Sequence, residues 1–186
     1  EVTIRLAGDS GDGMQLVGTE LTNTSALFGN DVGTLPDYPA EIRAPAGTLA
    51  GVSGYQLHIG SYDIHTPGDD VDVLVAMNPA ALKANVKSLK PNGVLIVNTD
   101  SFTEKDLKLA GCETNPLEDG TVAAYQTFKV EMSAHTKAAL RETGLDHKAM
   151  ERCKNFFALG MISWLFNRPM DGTVKFLKEK FSKKPL

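Results

Sequence analysis

The sequence predicts an α/β domain with a doubly wound, mainly parallel sheet, and three observations predict it. Val2-Thr3-Ile4-Arg5-Leu6 alternates apolar and polar residues as a strand does, and a glycine-rich turn separates it from helical spacing at Val17, Leu21 and Phe28. Further on, the apolar run Val71–Met77, a helix with Leu82, Val86 and Leu89 on one face, and the apolar run Val94–Asn98 form a β-α-β unit of strands buried on both faces. Finally, 186 residues suffice for one full core, so residues 1–186 are read as a single domain.

The first turn is Ala7-Gly8-Asp9-Ser10-Gly11-Asp12-Gly13-Met14. Its glycines permit positive φ and close backbone approach, and the helix start offers unpaired N–H groups. The spacing Gly8-x-x-Gly11-x-Gly13 departs from the dinucleotide fingerprint, which wants glycine where Ser10 stands, and no Lys-Ser/Thr pair follows Gly13 as a P-loop requires. Asp9 and Asp12 oppose a bare anion unless both side chains turn away. Two readings stay open, a ligand or partner contact and a purely structural turn. Substitution of Gly11 or Gly13 by Val is expected to do more damage than the same change at Gly120.

The first helix is expected to end near Phe28-Gly29-Asn30. Residues 31–60 are rich in Gly, Pro and Ala. Pro36, Pro39 and Pro45 break any helix, and Tyr55, Leu57 and Ile59 alternate with Gln56 and His58 as in a half-exposed strand. Glu41 and Arg43 stand in the middle of this segment, either as a solvated ion pair or as a recognition element.

In the β-α-β unit, Asn78 can cap the helix and Pro79 suits its first turn. Lys87 and Lys90 fall near its C-terminus, and Pro91-Asn92-Gly93 ends it. Asn78 and Asn98 stand at carboxyl ends of strands, where open α/β sheets bind ligands, although cap or turn duty is the favoured reading for both. A polar stretch from Thr99 to Gly120 holds a short helix around Glu104–Leu109, and Tyr125–Val130 reads as a strand. Met132–Thr143 reads as a helix ended by Gly144. The longest apolar pattern begins after the N-cap candidate Asp146, with Met150, Cys153, Phe157, Met161 and Trp164 on one face, and suits the core or a subunit contact, core being favoured. A last amphipathic helix follows Pro169, with Val174, Leu177 and Phe181 backed by lysines.

Composition excludes several chemistries. A net charge of -4 with interspersed signs provides no field for nucleic acid. Cys112 and Cys153, the two cysteines, form no C-x-x-C and neither a cluster ligand set nor a disulfide framework. The four histidines lack metal-binding spacing, so no metal ligand is expected, and Asp63 with His65 is the nearest approach to an acid–base pair but has no nucleophile motif beside it. No membrane is expected, since no apolar run reaches the roughly 18 residues of a span, and a cytoplasmic location is favoured.

Four blocks in order carry a resemblance: Ile4–Met14, Glu41-Ile42-Arg43-Ala44-Pro45-Ala46-Gly47-Thr48, Asp72–Asn78 and Leu159-Gly160-Met161. Together they are similar to the γ component of 2-oxoacid:ferredoxin oxidoreductases, over essentially the whole chain and closest to the 2-oxoglutarate type, in which this domain is often fused ahead of the α module. The resemblance implies a Rossmann-like three-layer domain with some antiparallel strands. It also implies an enzyme that oxidatively decarboxylates a 2-oxoacid, passes electrons through iron–sulfur clusters to ferredoxin and delivers the acyl group to coenzyme A. Thiamine diphosphate and magnesium would sit between the α and β modules and the clusters outside this component, so this chain is expected to be inactive alone and to hold no catalytic residue, with the α and β subunits as its partners. Gly8, Asp9, Ser10, Gly11, Asp12, Gly13, Glu41 and Arg43 are its expected contacts with coenzyme A or a partner. Many members have a Gly-Gly-Gln-Gly type of turn where this chain has Ser10-Gly11-Asp12-Gly13. The rival readings are a free-standing Rossmann-like nucleotide-binding or regulatory module and an NAD-dependent enzyme using Asp31 or Asp37 as its ribose acid.

Overall fold

The β-α-β signature leads to a six-stranded sheet at the centre of the structure, a computed structural model that describes residues 1–41 and 44–182. In chain order the elements are β1 (Val2–Asp9), α1 (Met14–Leu27), β2 (Asp31–Asp37), β3 (Val52–Gly60), β4 (Val71–Ala76), α2 (Pro79–Asn85) and β5 (Leu89–Asn98). There follow α3 (Glu104–Leu109), β6 (Gln126–Val130), α4 (Met132–Ala139), α5 (His147–Arg152), α6 (Lys154–Leu165) and α7 (Asp171–Lys180). The strand order is β2-β3-β1-β4-β5-β6. β1, β4, β5 and β6 are parallel, and β3 runs against both its neighbours, so only β3 opposes the common direction.

Alternation along the strands splits the core into two layers. Ile4, Leu6, Val73 and Val75 point to one face, where Met14, Val17 and Leu21 of α1 and Leu159 and Ile162 of α6 cover them. Ala7, Leu74, Ala76 and Leu95 point to the other, against Ala81 and Leu82 of α2. Each such buried Leu or Ile contributes about 1.5–3 kcal/mol by leaving water. The expected doubly wound class, with antiparallel strands at one side, is what the chain forms.

Two caps act as read: the Asn78 side chain accepts the Ala81 N–H at 2.8 Å, and that of Asp146 accepts the Ala149 N–H at 2.7 Å. Other expectations need correction. Asp31–Asp37, which shows no strand pattern, is an edge strand, the one place where Pro36 costs no ladder bond. β3 is buried on both faces rather than half exposed, because the chain after Gly60 folds back over it. Gln56 Nε2 donates to the Pro67 carbonyl at 2.9 Å, and His58 Nδ1 lies 2.9 Å from the Thr66 carbonyl. α2 stops at Asn85, whose side chain donates back to the Ala81 carbonyl at 2.8 Å and accepts from Arg5, so Leu89 and Lys90 enter β5 instead.

The long C-terminal helix is two helices, broken at Cys153, and its buried face differs from the expected one. Ala158, Leu159, Ile162 and Ser163 face inward, while Trp164 is 81% exposed. Val174 of α7 and its C-cap Phe181 are exposed too, and Thr173 is the buried residue of that helix.

Candidate functional site

β1 leads to α1 on one face of the sheet and β4 leads to α2 on the other, so the chain diverges between the carboxyl ends of these adjacent strands. In open α/β sheets that crevice is where ligands bind. The glycine turn stands on one side of it and Asn78 on the other, joined where the Met77 N–H donates to the Ala7 carbonyl at 2.9 Å. β2 ends at the same edge, so residues 38–41 and 44–51 lie past the turn. The Gly47 N–H donates to Asp9 Oδ1 at 2.9 Å and the Ser10 N–H to the Gly51 carbonyl at 3.0 Å. Two segments far apart in sequence and singled out for different reasons thus form one surface. Glu41 belongs to it, exposed, with its N–H donating to the Ala50 carbonyl at 3.4 Å; Ile42 and Arg43 lie outside the described residues.

Both aspartates turn into the protein. Asp12 Oδ2 accepts the Asp9 N–H at 3.0 Å, while its Oδ1 lies 3.2 Å from Lys154 Nζ at the start of α6. Lys154 also reaches Glu151 at 3.4 Å, and Ser133 Oγ donates to Glu151 at 2.8 Å. Behind Ser133 stands Asn98, fully buried, accepting the Met132 N–H at 3.1 Å, so it clamps α4 rather than facing a ligand. Burial lowers the affinity of Lys154 for its proton, but Asp12 and Glu151 outweigh burial and hold its pKa above the usual lysine value. For Asp9, burial is the largest influence and raises the carboxyl above its ordinary pKa, aided by Asp12, while the Gly47 N–H pulls the other way.

The glycines divide by duty. Gly13 has φ 72° and opens α1, and a Cβ there would lie 2.5 Å from Asn155 Nδ2. A Cβ on Gly8 would approach Asp12 Oδ2 to 2.8 Å and the Met77 Cβ to 3.2 Å. Gly11 faces open space without positive φ, whereas Gly120 has φ 90°, so the expectation that Gly11 is more sensitive than Gly120 is reversed.

Beside the exposed Gly11 and the half-buried Asp12 opens a cleft of about 470 Å³ between α4, α5 and α6. Lys137, Lys148, Arg152 and Lys154 line it against Asp12 and Glu151, which leaves two positive charges in excess. Lys137 and Lys154 are engaged by Glu151, at 2.8 and 3.4 Å, while Lys148 and Arg152 are exposed and make no ion pair among the described residues. These cations were not singled out from sequence, and no local pattern there marks them. A wider hollow of about 800 Å³ around α3 has mixed charge and meets the site only where Leu109 approaches Gly47.

The other candidates fall away from this edge. Asp63 and His65 are exposed in the loop after β3, at the opposite end of the sheet. Asp31 accepts the Val32 and Ile64 N–H groups at 3.0 and 2.6 Å, and Asp37 pairs with Arg5. Both acids are therefore committed, and antiparallel β3 separates their strand from β1, which removes the support for a ribose acid. Cys112 and Cys153 lie on opposite faces of the sheet, and no three His, Cys, Asp or Glu side chains converge among the described residues, so this donor set does not fit a cluster or a metal. No helix among the described residues is long and apolar enough to cross a membrane.

The family described as pyruvate ferredoxin/flavodoxin oxidoreductase matches residues 3–186. The chain is 54% identical over 184 residues to the 2-oxoglutarate oxidoreductase subunit KorA of Mycobacterium tuberculosis, covering 99% of this chain and 28% of that one. It resembles the 2-oxoglutarate:ferredoxin oxidoreductase of Magnetococcus marinus, solved with 2-oxoglutarate, coenzyme A and succinyl-CoA bound, with a TM-score of 0.72 and 26% identity over all of this chain and 28% of the other. The γ subunit of a keto/oxoacid ferredoxin oxidoreductase from Geobacter sulfurreducens shares the fold at a TM-score of 0.64 and 21% identity, over all of this chain and 88% of that subunit. The chain thus spans little more than a quarter of the length of the first two relatives.

Proposed function

This chain belongs to the pyruvate ferredoxin/flavodoxin oxidoreductase family, and on that premise we propose that it is the γ component of a 2-oxoacid:ferredoxin oxidoreductase with 2-oxoglutarate as substrate. The reaction is oxidative decarboxylation to an acyl-CoA, with the electrons delivered to ferredoxin. The observation that carries this reading is the 54% identity to KorA across almost the entire chain.

Thiamine diphosphate, magnesium and the iron–sulfur clusters are assigned to the α and β subunits, in keeping with a chain whose cysteines are separated by the sheet. What this chain supplies is a surface for coenzyme A. The N–H groups of Asp9, Ser10 and Asp12 are engaged within the protein, so the crevice edge offers the first N–H groups of α1 after them, Lys154 neutralises Asp12, and Lys148 and Arg152 add positive potential beside Gly11. Phosphates are drawn to such an edge by charge-assisted hydrogen bonds. Glu41 and Arg43 are proposed as further contacts of this edge, Arg43 for its planar guanidinium fork.

The test uses the complete enzyme. It should reduce ferredoxin only when 2-oxoglutarate and coenzyme A are both present, and residues 1–186 alone should not. Replacing Lys148 by Met together with Arg152 by Gln should raise the Michaelis constant for coenzyme A about tenfold with little change in kcat, the size of one or two lost charge-assisted bonds. Arg43→Lys should raise it in the same sense. Turnover by residues 1–186 alone, or tight NAD binding in calorimetry, would refute the reading.

A further inference from the structure

The helix α6 is apolar on every side, yet one edge of it is covered only in part. Its sequence, Lys154-Asn155-Phe156-Phe157-Ala158-Leu159-Gly160-Met161-Ile162-Ser163-Trp164-Leu165, holds one charge, and that lysine is engaged by Asp12 and Glu151. Ala158, Leu159 and Ile162 face α1 and the sheet. On the opposite side Phe157, Gly160, Met161 and Trp164 follow helical spacing. Phe157 stacks on the exposed His135 ring at 5.8 Å, Trp164 is 81% exposed and Leu165 46%. Phe157 and Met161 are half-buried, packed against the core by their inner edges, a Cβ on Gly160 would meet open space, and Trp164 and Leu165 stand clear of the core. An uncharged apolar edge from which a Trp projects marks an interaction surface, and Trp is among the residues that carry most binding energy.

We infer that the Phe157–Met161–Trp164 face of α6 docks the larger component of the same enzyme, the part of the polypeptide that lies beyond this chain's extent in KorA-type relatives. The inference rests on the reading as a γ component. Two observations select that occupant. The KorA relative is more than three times as long as this chain, so a large body is available to cover the face. The face also carries no charge with which to steer a transient acidic or basic partner, which suits a permanent apolar contact. The placement has a purpose: the same helix begins at the glycine turn, where Lys154 holds Asp12 and Asn155 faces Gly13, so a component seated on α6 is set in fixed register with the crevice.

The complete enzyme carrying Trp164→p-benzoylphenylalanine is irradiated and the adduct read by mass spectrometry, beside Trp164→Glu and Trp164→Phe. The expected adduct joins position 164 to a peptide outside residues 1–186. Trp164→Glu should lower the yield of assembled, active enzyme about thirtyfold, while Trp164→Phe stays within about twofold of wild type. An adduct to residues 1–186 of a second copy, no adduct, or a Trp164→Glu enzyme that assembles and turns over as wild type would overturn the inference. Failure of the wild-type enzyme to reduce ferredoxin from a 2-oxoacid would instead strike the underlying reading.

Discussion

Replacing Lys154 by Met removes the charge that faces Asp12 while keeping most of the side chain's packing. The pair is well shielded, with side chains 13% and 15% exposed and 3.2 Å apart. At an effective dielectric constant near 20 its gross attraction is about 5 kcal/mol, most of which the cost of desolvating both ions offsets. Losing one partner strands the other, which costs about 3–5 kcal/mol when burial is complete. Here Asp12 keeps the Asp9 N–H at 3.0 Å and some contact with water, so about 2–3 kcal/mol is expected. For a chain of this size that lowers Tm by about 4–12 °C. The assay is a double-mutant cycle with Asp12→Asn, which retains an acceptor for the Asp9 N–H. The double variant should be less damaged than the sum of the singles by about 1.5–3 kcal/mol, and additivity within about 0.5 kcal/mol would refute the pairing. The pH dependence has a definite sign. Because the folded pKa of Lys154 is raised, its contribution is fully present below the usual lysine value of 10.5 and is lost only in stronger alkali. Burial acts to raise Glu151, but Lys137, Ser133 and Lys154 leave its pKa lowered, so its contribution is present above 4.5 and fades as the pH falls through the lowered value.

Gly13→Ala should cost about 1–3 kcal/mol through backbone strain at φ 72°, with Asn155 also having to shift, while Gly11→Ala should stay within about 0.5 kcal/mol; comparable thermal melts for the two would refute the division of duties. Gly18→Ala gains about 1 kcal/mol of helix propensity but places a Cβ 2.2 Å from the Tyr55 ring, so a net loss in urea unfolding is expected, and stabilisation would show that α1 packs differently on β3. Asp9→Asn keeps the acceptor for Gly47 and removes a half-buried charge beside Asp12. The raised pKa of Asp9 means its favourable contribution is present below 3.8 and lost as the pH rises through the raised value, so the Asn variant should match or exceed wild-type stability at neutral pH and lose that advantage in acid.

The sequence discloses the parts of this fold in which local chemistry and burial agree. Asn78-Pro79 and Asp146 announce their helices because a cap is a short-range interaction. β2 stays hidden because Pro36 and Gly33 oppose a strand, and the reason they are tolerated, an edge position, is tertiary. For α6 the periodicity picked out a face that does not turn inward as a whole, since both sides are apolar and small residues such as Ala158 went inward while Trp164 went out. The glycine turn itself was visible. Its clamp by Lys154, Glu151 and Asn155 was not, because pairing across the chain leaves no trace in one sequence, and the same holds for the gathering of Gly47 against Asp9.

That clamp gives synthesis an order of events. Asp12 leaves the ribosome about 140 residues ahead of Lys154, and at ordinary elongation speeds of about 5–20 residues per second the wait is on the order of 10–30 s. Throughout that interval the turn has its glycines and its flanking strand but neither its counter-ion nor the neighbour that fixes Gly13. Maturation of the crevice is therefore set by the arrival of α5 and α6, and a product truncated ahead of Asp146 would carry an intact glycine turn around a site that never sets.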